Sequence, residues 1–328
     1  MSDAEVHRKS GFVWPLVESG LDQVRNRDEL LLAFRQILER EALPADGGLL
    51  PLFDTLYLPL AHWVAQLQQQ GPLLLGINGA QGSGKSTLTK ILQALLEKGF
   101  SKRVVSLSID DLYLTRAERE RLAREVHPLL ITRGVPGTHD VGIARDVLSR
   151  LKQGVRQRIT IPVFDKAHDD RADEASWQQI DGPVDLIIFE GWCVGAVAED
   201  TQALERPINR LEAEEDPQRV WRTYVNEQLK GPYREIFSLI DILIMMKIPA
   251  MENVFEWRSL QEAKLRASRQ GGALATRIMS EQELQRFIMH YERITRHSLE
   301  EMPERADVLL ELNRDHQIER VSVKEADS

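Results

Sequence analysis

The chain has a single cysteine, Cys193, among 328 residues. No intrachain disulfide can form, and a four-thiolate metal site is excluded by arithmetic. It also lacks any run of the roughly 18 apolar residues that a membrane-spanning helix needs. Its longest apolar candidate, LIDILIMMKIPAM, is interrupted by Asp241, Lys247 and Pro249 and reads as a buried strand. Basic residues are in the minority: 42 Lys and Arg against 51 Asp and Glu leave a formal charge of -9. A surface that coats nucleic acid draws its affinity from clustered cations, so this balance argues against a nucleic-acid partner. Any phosphate must therefore meet a local positive site. Internal repeats and low-complexity tracts are missing too. The opening residues MSDAEVHRKSGFVW show no basic segment followed by an apolar run. With the reducing default set by the lone thiol, the expectation is a cytoplasmic protein without membrane attachment.

What remains is ordinary globular composition, 42% hydrophobic and 28% charged, with enough chain for a large core. From about Leu21 to Gln70, apolar residues recur at three and four spacing, as in LDQVRNRDELLLAFRQILERE and LYLPLAHWVAQLQQQG. That spacing predicts an N-terminal helical extension over residues 1–70, packed on a core domain of residues 71–328. The short apolar run ending at Ile77 meets a glycine cluster and then the helical period of STLTKILQALLEKGF. Further strands are expected at RVVSLSID, RITIPVFD, VDLIIFEG, IDILIMMKIP and ADVLLELN. Between them, TRAERERLAREV reads as a charged helix with a solvated face, and VGIARDVLSRLKQG as a helix stopped by Gly154. The stretch near 198–217 turns acidic and loop-like and reads as a mobile insertion. Near-continuous apolar strands alternating with helices indicate an α/β protein with a mainly parallel central sheet covered on both faces.

GAQGSGKS, Gly79 to Ser86, fits G-x-x-x-x-G-K-[ST] in full, with a strand before it and a helix after it. Its glycines let successive backbone N–H groups approach phosphate oxygens, and the helix adds its positive N-terminal end. The nucleotide-binding residues are then Gly79, Ala80, Gln81, Gly82, Ser83, Gly84, Lys85, Ser86 and Thr87. Lys85 would reach the outer phosphates of the nucleotide, and Ser86 would place its hydroxyl on the Mg2+ that neutralises them. SIDDLYL puts Asp110 and Asp111 at a strand exit, where open parallel sheets place their ligand crevice. A carboxylate there can accept a hydroxyl proton, hold the metal, or cap the next turn, and one of the pair is free to cap while the other works. Glu190, at the tip of VDLIIFEG, is a second metal candidate beside Ser86.

Two loops suit a small anion. TRGVPGTHD gathers Arg133, His139 and Asp140, and PVFDKAHDDRAD gathers Asp165, Lys166, His168 and Arg171. Neither has the spacing of a zinc cage. A basic helix near 255–271 carries Trp257, Arg258, Lys264 and Arg266. It serves equally as a lid over the nucleotide or as a solvated face.

Taken in order, GAQGSGKST, SIDDLYL, TRGVPGTHD, PVFDKAHDDRAD and FEGW resemble the P-loop kinases of the glycerate kinase type, relatives of uridine kinase, phosphoribulokinase and pantothenate kinase. The resemblance runs from roughly Tyr57 to the C-terminus. It implies a P-loop NTPase three-layer sandwich, with the first strand inserted between others and a helical lid. It also implies ATP-dependent phosphoryl transfer to a small-molecule alcohol. Asp110 aligns with the base of the uridine kinase branch, although Leu112 stands where a Phe is usual, and Asp165, His168 and Arg171 fall where relatives contact substrate. D-glycerate is the favoured acceptor; a nucleoside or pantothenate-like compound is an alternative, since the fold does not fix the acceptor. The competing class is a nucleotide-dependent switch or assembly ATPase, which lacks support here because neither an N-K-x-D string nor an ABC-type signature is found. The oligomeric state is not legible in the sequence.

Overall fold

The computed structural model describes residues 26–41, 43, 49–68, 70–268 and 280–324. The apolar run LLLGING forms β1 (Leu73–Gly79) and LIIFEG forms β7 (Leu186–Gly191); every residue of β7 is buried, as a strand covered on both faces must be. With β2 (Val104–Ser108), β8 (Ile242–Lys247), β9 (Val308–Leu312) and β10 (Ile318–Val323) they make one six-stranded sheet, in the order β10-β9-β8-β1-β7-β2. All neighbours run parallel except the β9–β10 hairpin at the edge. β1 thus sits between β8 and β7, and the register sets Asn78 beside Gly191 and Ser108 beside Glu190.

Helices cover both faces. On one, α1 (Arg27–Arg40) turns Leu30, Phe34 and Leu38 inward to the core shared with α2 (Leu58–Leu67) and α3 (Lys85–Phe100). α3 buries Leu88, Ile91, Leu92, Leu95 and Leu96 along one stripe, each worth roughly 1.5–3 kcal/mol. α2 is entered through a π turn at Phe53–Tyr57. The other face carries α4 (Arg116–Glu125) and α5 (Val141–Lys152), and the second core between it and the sheet is built from Val147, Leu148, Ile187 and Phe189.

Two sequence expectations need correction. RITIPVFD does not join the main sheet: β3 (Arg158–Ile161) pairs with β6 (Gln178–Asp181), while β4 (Phe164–Asp165) and β5 (Asp170–Arg171) form a separate two-residue ribbon. The alternating burial of Arg158 to Ile161 is that of a half-covered hairpin and not of a central strand. The charged helix α4 has the expected solvated face, and its opposite side carries Arg119, which is 1% exposed and donates to the carbonyls of Leu114, Ile131 and Asp169. The acidic stretch near 198–217 is structured: α6 (Arg210–Glu215) buries Glu212 against Arg293, and Asp216 caps α7 (Val220–Gln228) while pairing with Arg222. Glu199, Glu212, Glu214, Glu215 and Asp216 of this stretch are all taken up in ion pairs. β10 was not foreseen, since its IERVSV run is polar and buries only Ile318 and Val321. The α1 helix starts at Arg27 among the described residues, and the expected start at Leu21 lies outside them.

After β8, α9 (Met251–Ser268) follows, then α10 (Glu281–Arg305), opened by a capping box between Ser280 and Glu283. A π turn at Leu229–Tyr233 leads into the short α8 (Arg234–Phe237). No helix among the described residues is long and apolar enough to cross a membrane.

Candidate active site

The strand order places three loops side by side. The Gly79–Ser86 loop leaves β1, Glu190 ends β7, and Asp110 follows β2 in a 3-10 turn (Ile109–Leu112). In the loop, Gly82 and Gly84 hold φ of 86° and 91°, a region open to glycine and strained for side chains. Gly84 is also the N-cap of α3, so no side chain caps the first turn and its N–H groups face outward for an anion. Trp257 of α9 packs over Gly82, and the β9–β10 turn joins it there: His316 lies 3.8 Å from the Trp257 ring and contacts the Gly82 carbonyl at 3.2 Å.

Ser86 Oγ donates to Glu190 Oε1 at 2.9 Å. Glu190 is only 8% exposed, and its Oε2 is buried without a hydrogen-bond partner. An orphaned carboxylate oxygen next to a hydroxyl fits Mg2+, which takes few protein ligands and completes its shell with phosphate oxygens and water. Among the described residues no group of three or more His, Cys, Asp or Glu is placed to hold a metal ion.

Asp110 is held from two sides: Tyr113 Oη donates to Oδ1 at 2.8 Å and Lys166 Nζ to Oδ2 at 2.7 Å. Burial pushes this carboxyl up, yet the Lys166 charge, the two hydrogen bonds and the more distant Lys85 bring it net below the usual carboxylate range. Asp111 behaves oppositely. Burial raises it and the Asp110 charge adds to that, against backbone hydrogen bonds with Phe164 and Ser108.

Behind Asp110 lies an aromatic stack. The Tyr113 ring lies 4.7 Å from that of His139 at 25°, and meets Phe164 edge-on at 5.1 Å. Arg133 stands over Phe164 at 5.3 Å and pairs with Asp169. Asp140 spends one oxygen capping α5 at Ile143 and the other on Arg171, which also donates to the Tyr113 carbonyl. Asp165 and His168 pair with each other on the exposed tip of the β4–β5 ribbon; the His168 hydrogen bond holds the Asp165 carboxyl low, and Asp165 raises the imidazole in turn. The geometry therefore gathers Lys85, Ser86, Asp110, Glu190 and Lys166 at adjacent strand ends. It sets Asp140 and Arg171 as ties behind them and Asp165 with His168 at the rim. Arg258 lies beside Trp257, 6.0 Å from the Phe287 ring. Lys264 and Arg266 have side chains outside the described residues.

Sequence reading missed Tyr113 and Tyr233. The first has a local signal, because an Asp and a Tyr three apart meet across one 3-10 turn. The second reaches His139 across 94 residues and leaves none.

Residues 74–205 match the model of the Phosphoribulokinase / Uridine kinase family. A kinase of Schizosaccharomyces pombe, mug58, described only as uncharacterized, is 36% identical over 228 residues, covering 67% of this chain and 78% of its own. The chain belongs to this family. It is a P-loop kinase of the glycerate kinase type, an ATP-dependent enzyme acting on a small molecule. The chloroplastic D-glycerate 3-kinase of Arabidopsis thaliana is 31% identical over 231 residues, which make up 67% of this kinase and 46% of the plant protein, less than half its length. The solved D-glycerate 3-kinase of Cryptococcus neoformans var. grubii superposes with a TM-score of 0.66, covering 82% of this kinase and 97% of its own chain; at 24% identity the likeness shows the shared fold.

Proposed function

We propose that this kinase transfers the γ-phosphoryl group of ATP to a hydroxyl of a small anionic acceptor, with D-glycerate the leading candidate. The observation that carries this reading is Asp110, held ionised between Tyr113 and Lys166 one strand away from the Ser86–Glu190 pair. The 31% identity to a protein named D-glycerate 3-kinase supports the acceptor. In this assignment residues 79–87 hold the triphosphate, and Ser86 and Glu190 hold Mg2+, which supplies charge neutralisation for the phosphoryl oxygens when bound.

Asp110 receives the acceptor hydroxyl. Phosphoryl transfer runs through a loose transition state in which orienting the nucleophile matters more than a strong base, so a carboxylate with a lowered pKa suits the task. Asp111, drawn into backbone hydrogen bonds, braces the turn. Lys166, 61% exposed at the side chain, is free to move with the acceptor, while Arg133 and His139 face its anionic group, Asp140 and Arg171 position them, and Asp165 and His168 border the entrance. Arg258, with Lys264 and Arg266, belongs to a lid over the nucleotide, and residues 1–70 are the N-terminal helical extension packed on the core domain of residues 71–328.

The test is ADP release measured with D-glycerate, pantothenate, nucleosides and a 5′-hydroxyl oligonucleotide in turn. Stimulation by D-glycerate supports the reading. Acceptor-independent hydrolysis overturns it in favour of a switch ATPase.

A further inference from the structure

Tyr233 is 1% exposed and comes from the π turn before α8. Its Oη lies 2.9 Å from the backbone nitrogen of Gly137 and 2.6 Å from His139 Nδ1, and the backbone N–H of His139 also donates toward it. An amide N–H can only donate, so the lone pairs of Oη are committed to the backbone N–H groups of Gly137 and His139. The single phenolic proton then has one acceptor within reach, which is Nδ1. The opposite arrangement, with the proton on Nδ1, sets a third donor against Oη and leaves the phenolic hydrogen buried and unsatisfied.

We propose that Tyr233 fixes the tautomer of His139, so that Nε2–H stands as a permanent donor to an oxygen of the phosphate acceptor. Nε2 is buried and has no partner within the protein. An unsatisfied N–H in a 4% exposed ring leaves a donor that only a ligand or a water can satisfy. The ring is also on the correct side of the site: it stacks on Tyr113, whose hydroxyl is on Asp110, and the Tyr113–His139 bridge is closed by Leu114 N–H on Thr138 O and Asp140 N–H on Leu112 O. Gly137 holds φ of 98°, the left-handed turn that aims its N–H at Tyr233. Burial lowers the imidazole to about 3, with Asp110 pulling weakly upward, so the donor carries no charge at neutral pH. Charge recognition is thereby left to Arg133 and Lys166, and His139 selects geometry. Tyr233 acts through His139 and is a positioning residue. The identity of the oxygen that His139 meets rests on the function proposed above; the tautomer does not.

The test is a long-range proton–nitrogen correlation spectrum of the full chain labelled at histidine nitrogens, with His139 assigned by its loss in His139→Gln. The expected result is the Nε2–H tautomer, unchanged from pH 8 to pH 5. In Tyr233→Phe the Nδ1–H form should appear, the KM for the acceptor should rise about tenfold, the scale of one hydrogen bond, and the KM for ATP should stay within about twofold. An Nδ1–H tautomer in the unmodified chain, or protonation near pH 6.5, overturns the inference even where Tyr233→Phe does not fold. So does a Tyr233→Phe variant with an unchanged spectrum and acceptor KM. The spectrum needs no acceptor, so failure of D-glycerate in the ADP assay sinks the function reading and leaves the tautomer result standing.

Discussion

Ser86 and Glu190, 104 residues apart, meet at 2.9 Å because β1 and β7 are parallel neighbours in register. The pair leaves one buried carboxylate oxygen without a partner. Removing its charge therefore has opposite effects on stability and function. Glu190→Gln relieves a desolvated anion and should leave the melting temperature equal or higher. Its Mg2+ half-saturation in the kinase assay should rise roughly 10–100-fold. A lower melting temperature with unchanged Mg2+ dependence would show the pair to be structural.

Asp110→Asn should leave ATP affinity near normal and reduce turnover by about 10² or more. Lys166→Met tests the same carboxylate from the other side. Without the Lys166 charge, the upward push of burial is less opposed, so the acidic limb of the pH–rate profile should move to higher pH. An unmoved limb would separate Asp110 from the rate.

His139 and His290 are buried, and burial holds them near 3 and 4, against 6.5 for a free imidazole. Their folded pKa values are depressed, so the unfolded chain takes up protons first. Stability is complete above about pH 6.5 and is lost as pH falls toward 4, at up to about 1.4 kcal/mol per pH unit for each group. Urea midpoints measured between pH 7.5 and pH 4.5 should fall, and His290→Gln should flatten the fall. A midpoint independent of pH in the parent chain would contradict the burial of both rings.

Glu212 is fully buried against Arg293, with Glu199 beside it. Arg293→Met strands the Glu212 charge and should cost about 3–5 kcal/mol in urea denaturation. Glu212→Leu added to it should recover most of that loss. Two independent, additive effects would mean that the pair is not coupled.

How much of this could be read from the chain follows from how local each feature is. Gly79 to Ser86 is contiguous, and its function is set by backbone geometry that the glycines announce. Asp110 and Glu190 were legible because apolar strand runs end on them. Arg119 was not: its helix looks solvated, and only the carbonyls of Ile131 and Asp169, brought in by other loops, explain its burial. The acidic stretch near 198–217 misled because charge count says nothing about pairing, and Arg293 lies 81 residues beyond Glu212. Lys166 was assigned to the acceptor from composition, whereas its contact with Asp110 depends on how the β4–β5 ribbon folds back.

The measurement closest to the central claim is ADP formation by the full chain with Mg2+ and ATP, with and without D-glycerate, followed by identification of the phosphorylated product. The account predicts release of ADP that depends on D-glycerate, matched mole for mole by phosphoglycerate and abolished in Asp110→Asn. Equal ADP release with and without D-glycerate would contradict it.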